Sequence, residues 1–249
     1  MTIIFYDIPS ALPRNAWSPN TFKARYALNF KGIPYKTEWV EYPDIEPVAK
    51  KLGIPPTTKK LDGSPHYTLP AIYDPSTKTY VSDSRLIVEY LEKEYPDTPS
   101  LFPHNTVGLQ LAFSHAFGPC LDALWEFILP VQCLKLNPRS AEYFRRTREA
   151  DFGKTLEEVI PKGDQAVIQW AKYKDGMGKV DAWYTQNGGK GPFLMGETLS
   201  WADVVVVSWT IWVRIIFGED SQQWKDLSSW HGGRWNTLVE NLEKYETVL

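Results

Sequence analysis

Several short stretches of this chain combine side chains that can do chemistry. "WSPNT" sets three side-chain donors, Ser18, Asn20 and Thr21, around the start of an amphipathic run that ends at Gly32. A serine followed by proline is the signature of an N-cap and a first helical position. A hydroxyl at that place is also aimed where free amides and the helix dipole favour an anion. Ser18 therefore reads as a cap, as a donor to an anionic reactant, or as both. "YTLPAIYD" places Pro70 at the head of an apolar strand, where a residue that cannot donate to a ladder calls for a special geometry. A cis bond after Leu69 would turn the Leu69 N–H and C=O outward to pair with an extended peptide, and a trans edge-strand proline is the plainer alternative. "SDSRLI" sets Asp83 and Ser84 at another helix start, where they are N-caps or mark free amides and a helix dipole that favour a carboxylate ligand.

These residues need elements to hold them. "TIIFYDI" is β-branched and aromatic and reads as a strand, and Ser18 to Lys31 reads as a helix capped by Gly32. "PYKTEWVEY" alternates through Tyr35, Thr37 and Trp39 as a second strand. A Pro- and Lys-rich connection follows, then two short strands around the turn Asp74 to Thr77. "SRLIVEYLEKEYP" is a helix with Leu86, Ile87, Tyr90 and Leu91 on one face, stopped at Pro96. The order β-α-β, connection, β-β-α is that of an α/β thioredoxin-like domain, assigned to residues 1–97.

"DTPSLFPHN" reads as a linker, assigned to 98–108, and residues 109–249 read as all-helical. Amphipathic segments run from Leu109 to Leu136, with Pro119 and Pro130 expected to bend or break the first, then Arg139 to Val159, Gln165 to Tyr184, Ser200 to Phe217 and Trp235 to Tyr245. "SWAD" at Ser200 to Asp203 is a capping-box pattern. This half carries 9 of the 11 tryptophans, a load beyond what a helical bundle requires. Phe113, Phe117 and Trp125 on its first helix, with Trp209 and Trp212 on the capped one, are candidates for an aromatic-binding pocket as well as for core.

Composition narrows the function classes. With 249 residues, 43% of them hydrophobic, the chain can bury a real core. A net charge of −3 with interspersed signs gives no basic stripe, which excludes a nucleic-acid partner. Cys120 and Cys133 are too few for a disulfide framework and fit a reducing compartment. The N-terminus shows no secretory signal. The most apolar stretch, Val204 to Phe217, has 14 residues and contains Arg214, short of the roughly 20 that cross a bilayer. A soluble cytosolic protein without membrane attachment is expected.

Taken in order, "WSPNTFKARYALNFKGI", "TLPAIYD", "SDSRLIVEYLEKEYPDTP" and "FLMGETLSWADVVVVSW" resemble the signature segments of the glutathione transferase family. "FYDIPSALPRNAWSPNTFKARYALNFKG" and "EYFRRTREADFGKTLEE" look like the fungal-specific class A enzymes and the related bacterial β-etherases. The resemblance implies a thioredoxin-like domain that binds glutathione as co-substrate, a helical domain that binds an apolar aryl substrate, no metal, and a homodimer. By position it implies Ser18 at the glutathione sulfur, with Asn20 and Thr21 as further donors. It implies Leu69, before a cis Pro70, at the cysteinyl backbone, and Asp83 and Ser84 at the γ-glutamyl end. Aspartate stands where glutamate is commoner. The glycyl carboxylate has Lys50, Lys51, Lys59 and Lys60 as alternatives. Conjugation, reduction or cleavage of aryl electrophiles follows from the resemblance, and a non-catalytic carrier of aromatic compounds is the alternative.

Overall fold

The computed structural model describes residues 2–60 and 62–249 and divides them into two compact units. Unit 1 comprises Met1–Ser100 together with Leu136–Phe144 and Lys244–Leu249. Its elements are β1 (Ile3–Asp7), α1 (Pro19–Lys31), β2 (Tyr35–Trp39), α2 (Ile45–Leu52), β3 (Thr58–Lys59), β4 (Pro65–His66), β5 (Ala71–Asp74), β6 (Thr79–Ser82) and α3 (Ser84–Glu94). β1 runs parallel to β2, with Ile3 beside Tyr35 and Phe5 beside Thr37, while β5 and β6 are antiparallel, giving the sheet order β2-β1-β5-β6. This is the thioredoxin-like arrangement that the order of patterns predicts.

The period-two alternation sends Ile3, Phe5, Tyr35 and Ile72 into a core completed by Phe22 and Tyr26 of α1 and Ile87 and Leu91 of α3. Gly32 ends α1 in the left-handed region (φ 67°), and its N–H bonds back to the last turn. Inside this core Arg25 donates to Asp7 at 2.6 Å, both side chains fully buried, and to the Tyr35 hydroxyl at 3.0 Å. Burial pushes the Asp7 carboxyl up, opposed by the Arg25 charge.

Three local expectations change. The connection after β2 contains α2 and the β3–β4 hairpin; Pro47 sits in the first turn of α2, where its missing N–H has no intrahelical use. On α3, Val88 is buried and Leu86 is 40% exposed, so the buried face is Ser84, Ile87, Val88 and Leu91. Two segments read as part of the helical half group with unit 1. Tyr42 donates its N–H to Ser140, Arg139 forks onto Asp44 at 2.9 Å, and Thr37 N–H donates to the Leu249 carbonyl at 3.1 Å.

Unit 2, Leu101–Lys135 with Arg145–Glu243, is helical. Its helices are α4 (Val107–Phe117), α5 (Trp125–Cys133), α6 (Pro138–Phe152, which begins in unit 1), α7 (Leu156–Val159), α8 (Asp164–Thr185), α9 (Trp201–Phe217) and α10 (Gln222–Leu242). The run 118–124 at Pro119 is 3-10 helix, so Trp125 starts a new helix instead of sharing one with Phe113 and Phe117. Pro130 is accommodated inside α5, where it removes one backbone bond of a short helix. α10 begins well before Trp235 and is interrupted at Trp230 to Gly233, where His231, Gly232 and Gly233 all have positive φ.

α9 is the axis of unit 2. Trp201 through Ser208 are all buried, and the expected capping box is present at Ser200. The Asp203 carboxylate accepts from the Ser200 N–H and hydroxyl, the Tyr184 hydroxyl and the Leu194 N–H, at 2.8 to 2.9 Å. α8 meets the 118–124 turn so closely that a Cβ at Gly176 would stand 2.3 Å from the Cys120 carbonyl oxygen. Among the described residues, no helix is long and apolar enough to cross a membrane.

Candidate functional site

The candidate residues of unit 1 lie on its three non-repetitive crossings. β1 feeds the loop from Ile8 to Trp17, held by the Ser10 hydroxyl donating to the Asn15 carbonyl at 2.8 Å and by the Trp17 indole N–H donating to the Pro9 carbonyl at 3.3 Å. That loop delivers Ser18 to the N-cap of α1 in extended backbone (φ −71°, ψ 126°), with Pro19 next. The Ser18 side chain is buried and makes no capping hydrogen bond. Ser18 is thus the N-cap of α1 by position, its carbonyl accepting from Phe22 N–H and from the Thr21 hydroxyl, while its own hydroxyl takes no part in capping. Asn20 is exposed. Thr21 is fully buried, with its hydroxyl donating to the Ser18 carbonyl, so it faces the interior and not a ligand.

The Leu69–Pro70 peptide is cis. Leu69 is buried, and neither its N–H nor its C=O has a hydrogen-bond partner among the described residues. A backbone donor and acceptor left free beside a strand fit an added extended peptide. The Pro70 carbonyl accepts the Asp83 N–H at 3.2 Å, which brings the second and third motifs together. Asp83 has φ 77°, and its Oδ1 accepts from the N–H groups of Arg85 and Leu86 at 2.9 and 3.3 Å. Its carboxylate is thus an N-cap for α3. Ser84, buried, opens the same helix.

Lys23 was missed by sequence reasoning. It lies on α1 one turn beyond Ser18, half-buried, and desolvation lowers its ammonium to about 8 against the attraction of the Asp83 carboxylate. No local signal marks it, because its nearness to the Asp83 carboxylate depends on how α3 packs beside α1. Of the other lysines considered, Lys50 and Lys60 both pair with Glu46, at 2.7 and 3.0 Å, while Lys51 and Lys59 are exposed. No group of three or more acidic, histidine or cysteine side chains able to hold a metal occurs among the described residues.

In unit 2, Trp125, Trp209 and Trp212 form one edge-on cluster with centroids 5.3 to 5.7 Å apart. Phe113 and Phe117 pack separately, Phe113 against Trp183 at 5.5 Å. A cavity of about 1080 Å³ opens between the 118–124 turn, α5, α6 and α8. Trp125, Leu129, Phe152 and Trp183 give it apolar walls, and Arg148, Lys172 and Lys179 with Asp122, Glu126 and Asp175 give it charge of both signs. Of the five aromatic residues expected to line a pocket, Trp125 does so here; Trp212 is core.

Comparison with known proteins agrees with this layout. The family model for the glutathione S-transferase N-terminal domain matches residues 17–94, and that for the C-terminal domain matches 108–245. The chain is 34% identical to the glutathione S-transferase-like protein ustS of Aspergillus flavus, over 96% of this chain and 90% of that one. Among solved structures it resembles the glutathione S-transferase CsGST63524 of Ceriporiopsis subvermispora in complex with glutathione, with 47% identity, TM-score 0.96 and coverage of 100% and 99%. It also resembles glutathione transferase GSTFuA3 of Phanerochaete chrysosporium, with 46% identity, TM-score 0.95 and the same coverage.

Proposed function

Because the chain belongs to the glutathione S-transferase family, we propose that it binds glutathione in unit 1 and uses Ser18 to hold its thiol as the thiolate for attack on aryl electrophiles. The observation that carries this reading is the Ser18 hydroxyl, fixed at the N-terminus of α1 and not engaged in capping. The cysteinyl backbone of glutathione pairs with the free N–H and C=O of Leu69 before Pro70, and its γ-glutamyl end meets Ser84, the Asp83 cap and Lys23. Asn20 is the reserve donor in the first turn.

A thiol with an ordinary pKa near 8.5 is mostly protonated at neutral pH, whereas the thiolate is the nucleophile. A hydroxyl donating to sulfur and the positive end of α1 both favour the anion, and lowering the pKa by about two units takes about 2.7 kcal/mol. The thiol proton goes to solvent, the sulfur lone pair forms the new C–S bond, and a halide or aryl oxide leaves with the electrons of the broken bond. The cavity of unit 2 supports an aryl partner; it also supports carriage of aryl compounds without turnover. The protein acts in the cytosol as a homodimer.

Calorimetric titration with glutathione, followed by product analysis with an aryl halide, an aryl ether and an organic peroxide, tests the reading. Saturable binding with a thioether product from the halide or the ether is expected. Absence of glutathione binding would overturn it, and aryl binding without any product would leave the carrier.

A further inference from the structure

The segment Lys244–Leu249 belongs to unit 1 and touches both the far end of α1 and the loop that leads into its near end. At the far end of α1, Asn29 donates to the carbonyls of Tyr245 and Thr247 at 2.7 and 2.9 Å, and Tyr245 packs edge-on against Phe30 with centroids 5.4 Å apart. On β2, the Tyr35 hydroxyl donates to the Thr247 carbonyl at 2.9 Å, and Thr37 donates its N–H and hydroxyl to the Leu249 carbonyl. Between these pins the Glu246 side chain turns to the near end. It is 8% exposed and pairs with Arg14 of the Ile8-to-Trp17 loop at 2.5 Å. The Arg14 guanidinium in turn lies 5.2 Å over the ring of Phe22, in the first turns of α1.

We propose that this segment is a strap that positions the Ser18 loop, with the Glu246–Arg14 pair as its latch, and that Glu246 and Arg14 are positioning residues for glutathione activation. A carboxylate as buried as Glu246 is costly to leave without its partner, so the pair restrains where the Arg14 guanidinium can be. Arg14 sits among the residues that set the path of the chain into Ser18: Ser10 and Asn15, bonded to each other on either side of it, and Phe22 beneath it. The bonds from Asn29, Tyr35 and Thr37 end on backbone carbonyls of the strap, so neutralising Glu246 leaves them in place while it removes the ion pair to the loop. The network also continues inward: the Tyr35 hydroxyl accepts from Arg25, and Arg25 holds Asp7 at the end of β1, from which the Ser18 loop departs. The inference rests on the reading of Ser18 as the thiol contact.

The test uses the full chain with Glu246→Gln, Arg14→Ala and the charge swap Arg14→Glu with Glu246→Arg. Amide hydrogen exchange, glutathione affinity and the pKa of the bound thiol are measured on each. In Glu246→Gln and Arg14→Ala, exchange is expected to quicken at residues 9–17 with α3 and β5 unchanged. Glutathione affinity is expected to fall about tenfold, as for a misplaced binding group, with the bound thiol shifted to higher pKa and the swap restoring both. Unchanged exchange at 9–17, or uniformly faster exchange across unit 1, would overturn the strap. Wild-type protein that fails to bind glutathione would overturn the functional reading instead, and the exchange pattern would still decide whether the strap orders the loop.

Discussion

A serine that caps a helix accepts a backbone N–H through its side-chain oxygen, and its removal costs about 1 kcal/mol. Ser18 makes no such bond, so Ser18→Ala is expected to change thermal stability by less than that amount while raising the pKa of bound glutathione. The conjugation rate then shifts to higher pH, because more base is needed to form the same fraction of thiolate; the thiolate absorbance of the complex against pH checks it, with an unshifted titration assigning activation to backbone amides. The position of Ser18 was legible from "SPN", but its bonding was not, because cap and ligand contact use the same residue types. The burial of Thr21 was hidden for a related reason, since which residue of a first turn faces inward depends on the sheet beneath it. Lys23 gives a second test at this scale. With its ammonium at about 8, its charge is present below that pH and lost as pH rises through it. The affinity of S-methylglutathione, which has no thiol to titrate, is therefore expected to fall more steeply as pH rises through about 8 in the unmodified protein than in Lys23→Gln, where only the ligand's own α-amino group still titrates. Calorimetry at pH 7 and pH 9 measures it, and equal pH dependence in the two proteins would remove Lys23 from the site.

Among the elements, the sheet and the helices with clear starts and stops were readable: Pro19 and Gly32 bracket α1, and Ser200 with Asp203 announces α9. α2 and the first half of α10 were not, because Pro47 and the Ser228-Ser229 and Gly232-Gly233 pairs mask any period. What holds α10 is the burial of Trp224, Leu227 and Trp230, a tertiary effect that overrides weak local propensity. Two element-level outcomes follow from geometry. Gly176→Ala drives a methyl into the Cys120 carbonyl, and such overpacking of a rigid contact costs about 1–3 kcal/mol, read as a lower unfolding midpoint. The cap of α9 gives a pH signature. Burial raises the Asp203 carboxyl to about 6 despite its four donors. The folded state therefore holds that proton more tightly than the unfolded chain. Its stabilising share is fully present below about pH 4 and declines as pH rises through about 6, by about 3 kcal/mol in all. Asp203→Asn is expected to be less stable at every pH and to lose this slope. Denaturation midpoints between pH 4 and 7 measure both, and a slope that survives the substitution would assign the titration elsewhere.

For the molecule as a whole, the tryptophan load reads differently once the packing is known. Trp201, Trp212 and Trp235 are fully buried, Trp170 packs on Trp230 and Tyr173, and Trp209 closes on Trp125. Most of the aromatic mass is therefore core, where edge-on pairs add about 0.5–1.5 kcal/mol each beyond the area they bury. A sequence cannot separate this use from ligand binding, because both call for large apolar side chains at helical spacing. The cavity separates them: Trp125 and Trp183 are the tryptophans on its wall. If aryl ligands enter there, a hydroxylated aryl compound is expected to quench tryptophan fluorescence saturably at micromolar concentration, about −8 kcal/mol of binding. Trp183→Leu is expected to remove a stacking wall and weaken that binding about tenfold, the effect of losing one well-packed aromatic contact. Ser18→Ala is expected to leave it unchanged, since Ser18 belongs to unit 1 and serves the sulfur. The quench amplitude in Trp183→Leu carries the remaining information. If Trp125 is the other wall, the signal persists with a weaker midpoint; if the signal keeps both its amplitude and its midpoint, the aryl compound binds elsewhere and the cavity is not the ligand site.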